Sequence, residues 1–176
     1  MRNILLILVL STFAFAGIKV GEVPTATVIE TKDGGYVTGS AFDSTVLKGK
    51  ISVLMYVDPD EKSDGEALND ALDILGKTLT SKVYQKYLII NMDDTWKPNF
   101  VINKLLKSRQ KDHPEDLYVT DESSVLGVAW GLEHDAYNCV ISNEKGRVIY
   151  YEKGPFSKEE IQKVVTLVTK ETKRLQ

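Results

Sequence analysis

Two runs of apolar residues constrain this chain more than anything else in it. Ile51-Ser52-Val53-Leu54-Met55-Tyr56-Val57 and Tyr87-Leu88-Ile89-Ile90-Asn91-Met92 are nearly unbroken. A strand with one wet face alternates apolar and polar residues, whereas a strand apolar along its length is covered on both faces. The runs therefore predict two central strands of a parallel sheet. Parallel neighbours need a crossover, usually a helix. Ala67, Leu68, Ala71, Leu72, Leu75 and Leu79 recur at helical spacing and predict that helix over about residues 65–79, with Asp64 as its N-cap.

The flanking segments complete an α/β pattern. Residues 26–31 and 36–38, joined by Lys32-Asp33-Gly34-Gly35, predict an N-terminal β-hairpin. Val101, Ile102, Leu105 and Leu106 predict a second helix over about residues 99–110, closed before Pro114. A short strand at 117–120 and a short helix at 123–130, ended by Gly131, come next. Strands at 137–142 and 147–152 share the tight turn Asn143-Glu144-Lys145-Gly146. A last helix opens on Ser157-Lys158-Glu159-Glu160, a capping-box pattern.

The first residues read differently. Arg2, the apolar run Ile4 to Leu10 with Phe13, and the small-x-small Ala14-Phe15-Ala16 form a secretory signal peptide pattern. The run is too short to span a bilayer as a helix. The expectation is a signal peptide over 1–16, one domain over 17–176 and export to the periplasm, with no later membrane span. A formal net charge of -3 leaves no basic field for nucleic acid. The one cysteine, Cys139, rules out an intramolecular disulfide, a CxxC pair and a Cys-based metal site. It lies in Tyr137-Asn138-Cys139-Val140-Ile141, where a small buried hydrophobe is expected. The alternative is a one-Cys peroxidase.

The order hairpin, β, α, β, α, β, short α, β, β, α resembles the thioredoxin fold in its secreted thiol-oxidoreductase and peroxiredoxin-like form. Leu47-Lys48-Gly49-Lys50 is similar to the L-x-G-K entry to the first core strand of such proteins. Ile141 to Val148 resembles their antiparallel hairpin, and Gly154-Pro155 with Glu159-Glu160 the start of their last helix. More narrowly, Asn91-Met92-Asp93-Asp94, Asp121, Ala129-Trp130 and Gly146-Arg147-Val148 resemble the YtfJ-like family of exported bacterial proteins. The resemblance implies a thioredoxin-like α/β fold, a central mixed β-sheet flanked by helices, and export. That family has no established biochemical function, so it implies no mechanism.

The loop after the first core strand is where a thioredoxin-type redox pair would stand. Here it reads Asp58-Pro59-Asp60-Glu61-Lys62, without a thiol. The cis-proline such proteins carry before the penultimate strand would fall near Tyr137, and no proline is there. Asp58 and Asp60 also resemble the D-x-D start of a metal-assisted phosphotransferase, with Asp93 and Asp94 as Mg²⁺ ligands. The further motifs of that chemistry are missing, and a Ca²⁺ loop fails because Lys62 and Ala71 occupy ligand positions. No Gly-rich cradle is present, and no cofactor is expected. Strand direction places Asp58, Asp60, Asp93 and Asp94 at one sheet edge. Trp96, His134, Asp135 and Tyr137 are expected to join them in an acidic, partly aromatic face for a cation, an amine or a basic segment of a periplasmic protein. The expected role is non-redox binding, with a metal-assisted hydrolase or phosphotransferase as the alternative.

Overall fold

In the computed structural model, which describes residues 17–93 and 95–176, the two apolar runs are the centre of the molecule. The strands are β1 (Val28–Ile29), β2 (Gly34–Tyr36), β3 (Phe42–Asp43), β4 (Ile51–Val57), β5 (Tyr84–Asn91), β6 (Leu117–Asp121), β7 (Tyr137–Ser142) and β8 (Val148–Lys153). The helices are α1 (Glu66–Gly76), α2 (Asn99–Asp112), α3 (Val125–Trp130) and α4 (Lys158–Leu175). The expected signal peptide, residues 1–16, lies outside the described residues.

Six strands form a mixed sheet in the order β2-β6-β5-β4-β7-β8. β5 is parallel to both β4 and β6, while β7 runs antiparallel to β4 and β8. Every residue of β4 is buried, as its composition demands. Leu68 and Leu72 of α1, Ile102 and Leu106 of α2, and Val164 and Val168 of α4 belong to the core on one face. Leu126 and Trp130 of α3 join Ile29 and Phe42 on the other. No helix among the described residues is long and apolar enough to cross a membrane.

The expected N-terminal hairpin does not form. β1 pairs with β3, and β2 joins the edge of the main sheet beside β6. Gly34 explains the choice. Its φ is +127°, and a Cβ there would lie 2.1 Å from the Thr120 carbonyl oxygen. The Gly-Gly pair is thus a close backbone contact with β6 as well as a turn. Ile29 and Phe42, opposite each other in the small β1–β3 pair, are both fully buried.

Asp64 is not the N-cap of α1. Lys62–Gly65 form a 3₁₀ turn that runs into the helix, and Gly65 holds the cap position. A Cβ at Gly65 would lie 2.4 Å from the Tyr137 ring, so the chain enters α1 pressed against that side chain. The helix ends at Gly76, short of the expected 79.

The capping box of α4 is present. Ser157 Oγ accepts from the Glu160 amide at 3.2 Å, and Glu160 Oε2 accepts from the Ser157 amide at 2.7 Å. Ser157→Ala is expected to lose about 1 kcal/mol in urea denaturation. An unchanged midpoint would show that α4 is held by its packing alone.

Candidate functional site

β4 and β5 deliver their carboxyl ends to one edge of the sheet, and the loop before β7 returns to it. The Asp58 amide donates to the Ala136 carbonyl at 3.1 Å, which joins the first and last of these loops. Thr95 Oγ1 donates to Asp60 Oδ2 at 3.2 Å, which joins the first to the loop after β5. The sheet therefore brings three loops together, as strand direction implies.

The residues on those loops have unequal roles. Asp58 is 3% exposed, and its Oδ1 accepts the Asp60 amide at 2.7 Å. Its own carbonyl accepts from the Glu61 amide at 3.1 Å, so Asp58 closes the loop on itself. Asp60 forms an ion pair with Lys97, and that ammonium holds its carboxyl below the usual carboxylate range. Asp93 is exposed, with its amide on Asn91 Oδ1 at 3.2 Å. Asp94 lies outside the described residues. Trp96 is 83% exposed, with Lys97 Nζ 5.8 Å from its ring centroid. His134 and Asp135 are exposed, and Asp135 takes a left-handed φ of 47°.

Tyr137 differs from the expectation of a face residue. It is 3% exposed, its hydroxyl donates to Met55 Sδ at 3.0 Å, and its ring meets Phe156 edge-on at 6.1 Å. Burial pushes its phenol far above the ordinary range. As the first residue of β7 it points into the apolar face, because its neighbour Asn138 takes the opposite one. The Gly154–Pro155 peptide is cis. Gly154 donates to the Tyr137 carbonyl at 2.9 Å, and Phe156 to the Asp64 carbonyl at 3.2 Å.

Two buried polar groups belong to the scaffold: Asp121, at the carboxyl end of β6 and part of the family resemblance, and Lys86, near the start of β5, which the sequence reading does not single out. Asp121, fully buried, accepts the amides of Val125 and Leu126 at 2.8 Å each and the Tyr56 hydroxyl at 3.2 Å. Burial raises its carboxyl, and these donors pull it back only in part. Lys86, the third residue of β5, is 2% exposed. It binds Asn69 Oδ1 at 3.0 Å and Asp116 Oδ2 at 2.9 Å, and it pairs with Asp73. Asp73, His113 and Asp116 offer ligand atoms within 4.8 Å of one another. The cation between the two carboxylates is the Lys86 ammonium. A lysine at the start of an apolar run was the available signal.

The sheet edge also opens into a cleft between α1 and α2, with a volume of about 210 Å³. Val57, Leu88, Ile90 and Tyr137 line it, with Ile102 and Leu106 from α2. Lys62, Lys97 and Arg109 stand around it, with Glu66 as the carboxylate among its lining residues. A sequence shows each of these residues but not the gap between two helices.

Two parallel crossovers followed by an antiparallel β-β-α unit define a thioredoxin-like protein, here with no thiol in the loop after β4. The crystal structure of the exposed lipoprotein thioredoxin of Streptococcus pneumoniae matches it with a TM-score of 0.57 at 16% identity, over 75% of this chain and 95% of that one. The chain belongs to the family of bacterial proteins of unknown function YtfJ_HI0045, whose model matches residues 16–171. The uncharacterized protein YtfJ of Escherichia coli is 28% identical over 132 residues, 73% of this chain and 71% of that protein. An uncharacterized protein of Haemophilus influenzae is 29% identical over 133 residues, 74% and 71% of the two chains.

Proposed function

We propose that the protein is exported to the periplasm and works there as a non-redox binding or accessory protein through the three-loop edge. The leading observation is the state of the place where thiol chemistry would sit. The loop after β4 is Asp58-Pro59-Asp60-Glu61-Lys62, tied by its own hydrogen bonds and by Lys97. Cys139 offers no replacement, since it is fully buried on β7 and burial pushes its thiol up to about 12. At neutral pH that leaves almost no thiolate, the form that attacks disulfides and peroxides. Asp58 faces inward and Asp60 is engaged by a lysine, which favours a structural loop over an in-line phosphoryl-transfer pair. Arg2, the apolar run Ile4 to Leu10 and the small-x-small Ala14-Phe15-Ala16 support export.

The test has two parts. Cys139 is expected to resist alkylation in the folded protein and to react fully once denatured. The protein is expected to reduce no disulfide substrate. A photoreactive residue at Trp96 is expected to give periplasmic adducts that the same residue at Lys170, exposed on α4, does not. Rapid native labelling with disulfide turnover would overturn the non-redox reading, and equal adducts from both positions would overturn the choice of edge.

A further inference from the structure

We propose that the cleft between α1 and α2 binds a small amphipathic carboxylate, its apolar body on Leu88 and its carboxylate held by Lys62 and Arg109. The proposal rests on the reading of the protein as a binding protein and names a ligand class for the neighbourhood of the same edge.

Leu88 marks the cleft. β5 lies inside a six-stranded sheet, and each of its other residues is buried, yet Leu88 stays partly exposed. α1 and α2 pack on the same face without closing over it. Leu105, on the cleft side of α2, is 54% exposed. Leaving such side chains wet forgoes about 25 cal/mol for each Å² of apolar surface. An apolar occupant recovers that. A cavity of about 150 Å³ admits benzene, so about 210 Å³ takes a body of roughly eight carbons. This is below the roughly 300–1,000 Å³ of pockets for larger ligands.

Charge selects the head group. Lys62, Lys97 and Arg109 line the cleft against one carboxylate, Glu66, in a chain whose net charge is -3. Lys97 is taken by Asp60. Among the described residues no carboxylate pairs with Lys62 or Arg109. A guanidinium is shaped to take a carboxylate through two parallel hydrogen bonds. An apolar body with a cationic head would meet like charge at the same place.

Octanoate, octanol and octylammonium separate these contributions when titrated into the folded protein and followed by amide NMR. Octanoate is expected to give saturable shifts at Leu88, Ile90 and Leu105. Octanol is expected to bind about tenfold more weakly, the loss of one charge-assisted contact. Lys62→Ala with Arg109→Ala, both exposed positions, is expected to weaken octanoate about tenfold without changing the melting temperature. Absent or scattered shifts, equal binding of octanol or octylammonium, or an unaffected double variant would each overturn the proposal. If octanoate fails while a crosslinker at Leu105 captures a partner protein's side chain, the cleft is a protein-docking site and the carboxylate is wrong. If octanoate fails and Trp96 still gives specific adducts, the binding reading survives without this ligand. Failure of both removes both.

Discussion

Lys86→Met is expected to destabilise the protein by about 3–5 kcal/mol at neutral pH, the usual effect of removing one partner from a buried ion pair. Methionine keeps most of the volume, so the loss falls on charge. Lys86 is 2% exposed and Asp116 is 7% exposed at its side chain. Without the ammonium, Asp116 keeps a negative charge beside Asp73 with no cation between them. Burial is already the largest influence on Asp116 and raises its carboxyl. Lys86 opposes that rise, and Asp73 and Glu115 add to it.

The pH dependence follows. A raised folded-state pKa means that the folded protein holds the proton more tightly than the unfolded chain. That contribution is fully present below the unfolded carboxylate pKa and disappears as pH rises through the folded one. Removing Lys86 raises the folded value further. The deficit of the variant is therefore greatest at neutral pH and shrinks toward about pH 4. Urea denaturation of both proteins across that window measures the difference, which cancels carboxylates common to both. Adding Asp116→Asn is expected to restore part of the loss. A deficit independent of pH, with no recovery in the double variant, would assign the effect to packing.

β4 was legible in the sequence because seven buried residues in a row leave one kind of place in a sheet. The capping box was legible because Ser157 and Glu160 meet within four residues. The pairing of β1 with β3 and of β2 with β6 was not, because strands of two or three residues are too short to choose their partners locally. Ile29 found Phe42 and Gly34 found Thr120, both contacts made by the finished fold. The position of the loop after β4 at the carboxyl end of the parallel strands follows from strand direction alone. The charge of the loop is not legible from the loop alone. Lys97, the partner of Asp60, arrives from the loop after β5, and Asp58 turns inward to bond its own loop. Lys86 precedes the apolar run by one residue, and its partners come from α1 and from the segment before β6. The cleft depends on the separation of α1 and α2, which no local pattern carries.

Asp121→Ala is expected to cost about 2–4 kcal/mol, because each buried donor left without its acceptor costs about 1–3 kcal/mol. Two amides at the start of α3 lose their partner, and the Tyr56 hydroxyl loses this one. α3 has six residues and no side-chain cap from Ser124, which sits at φ 49°. A helix that short has little stability of its own. Asp121 serves as its cap from the end of β6, and thereby ties α3 to the sheet. When α3 frays, Leu126 and Trp130 shift, and they cover Leu54 and Tyr56 of β4. Asp121→Asn is not a neutral control, since its amide nitrogen would face an N–H that needs an acceptor. It is expected to fall between wild type and alanine. Urea denaturation gives the free energy, and amide exchange at Val125 and Leu126 reports the helix start directly. Protection retained at both amides with a loss under about 0.5 kcal/mol would show that packing of Leu126 and Trp130 holds α3 without its cap.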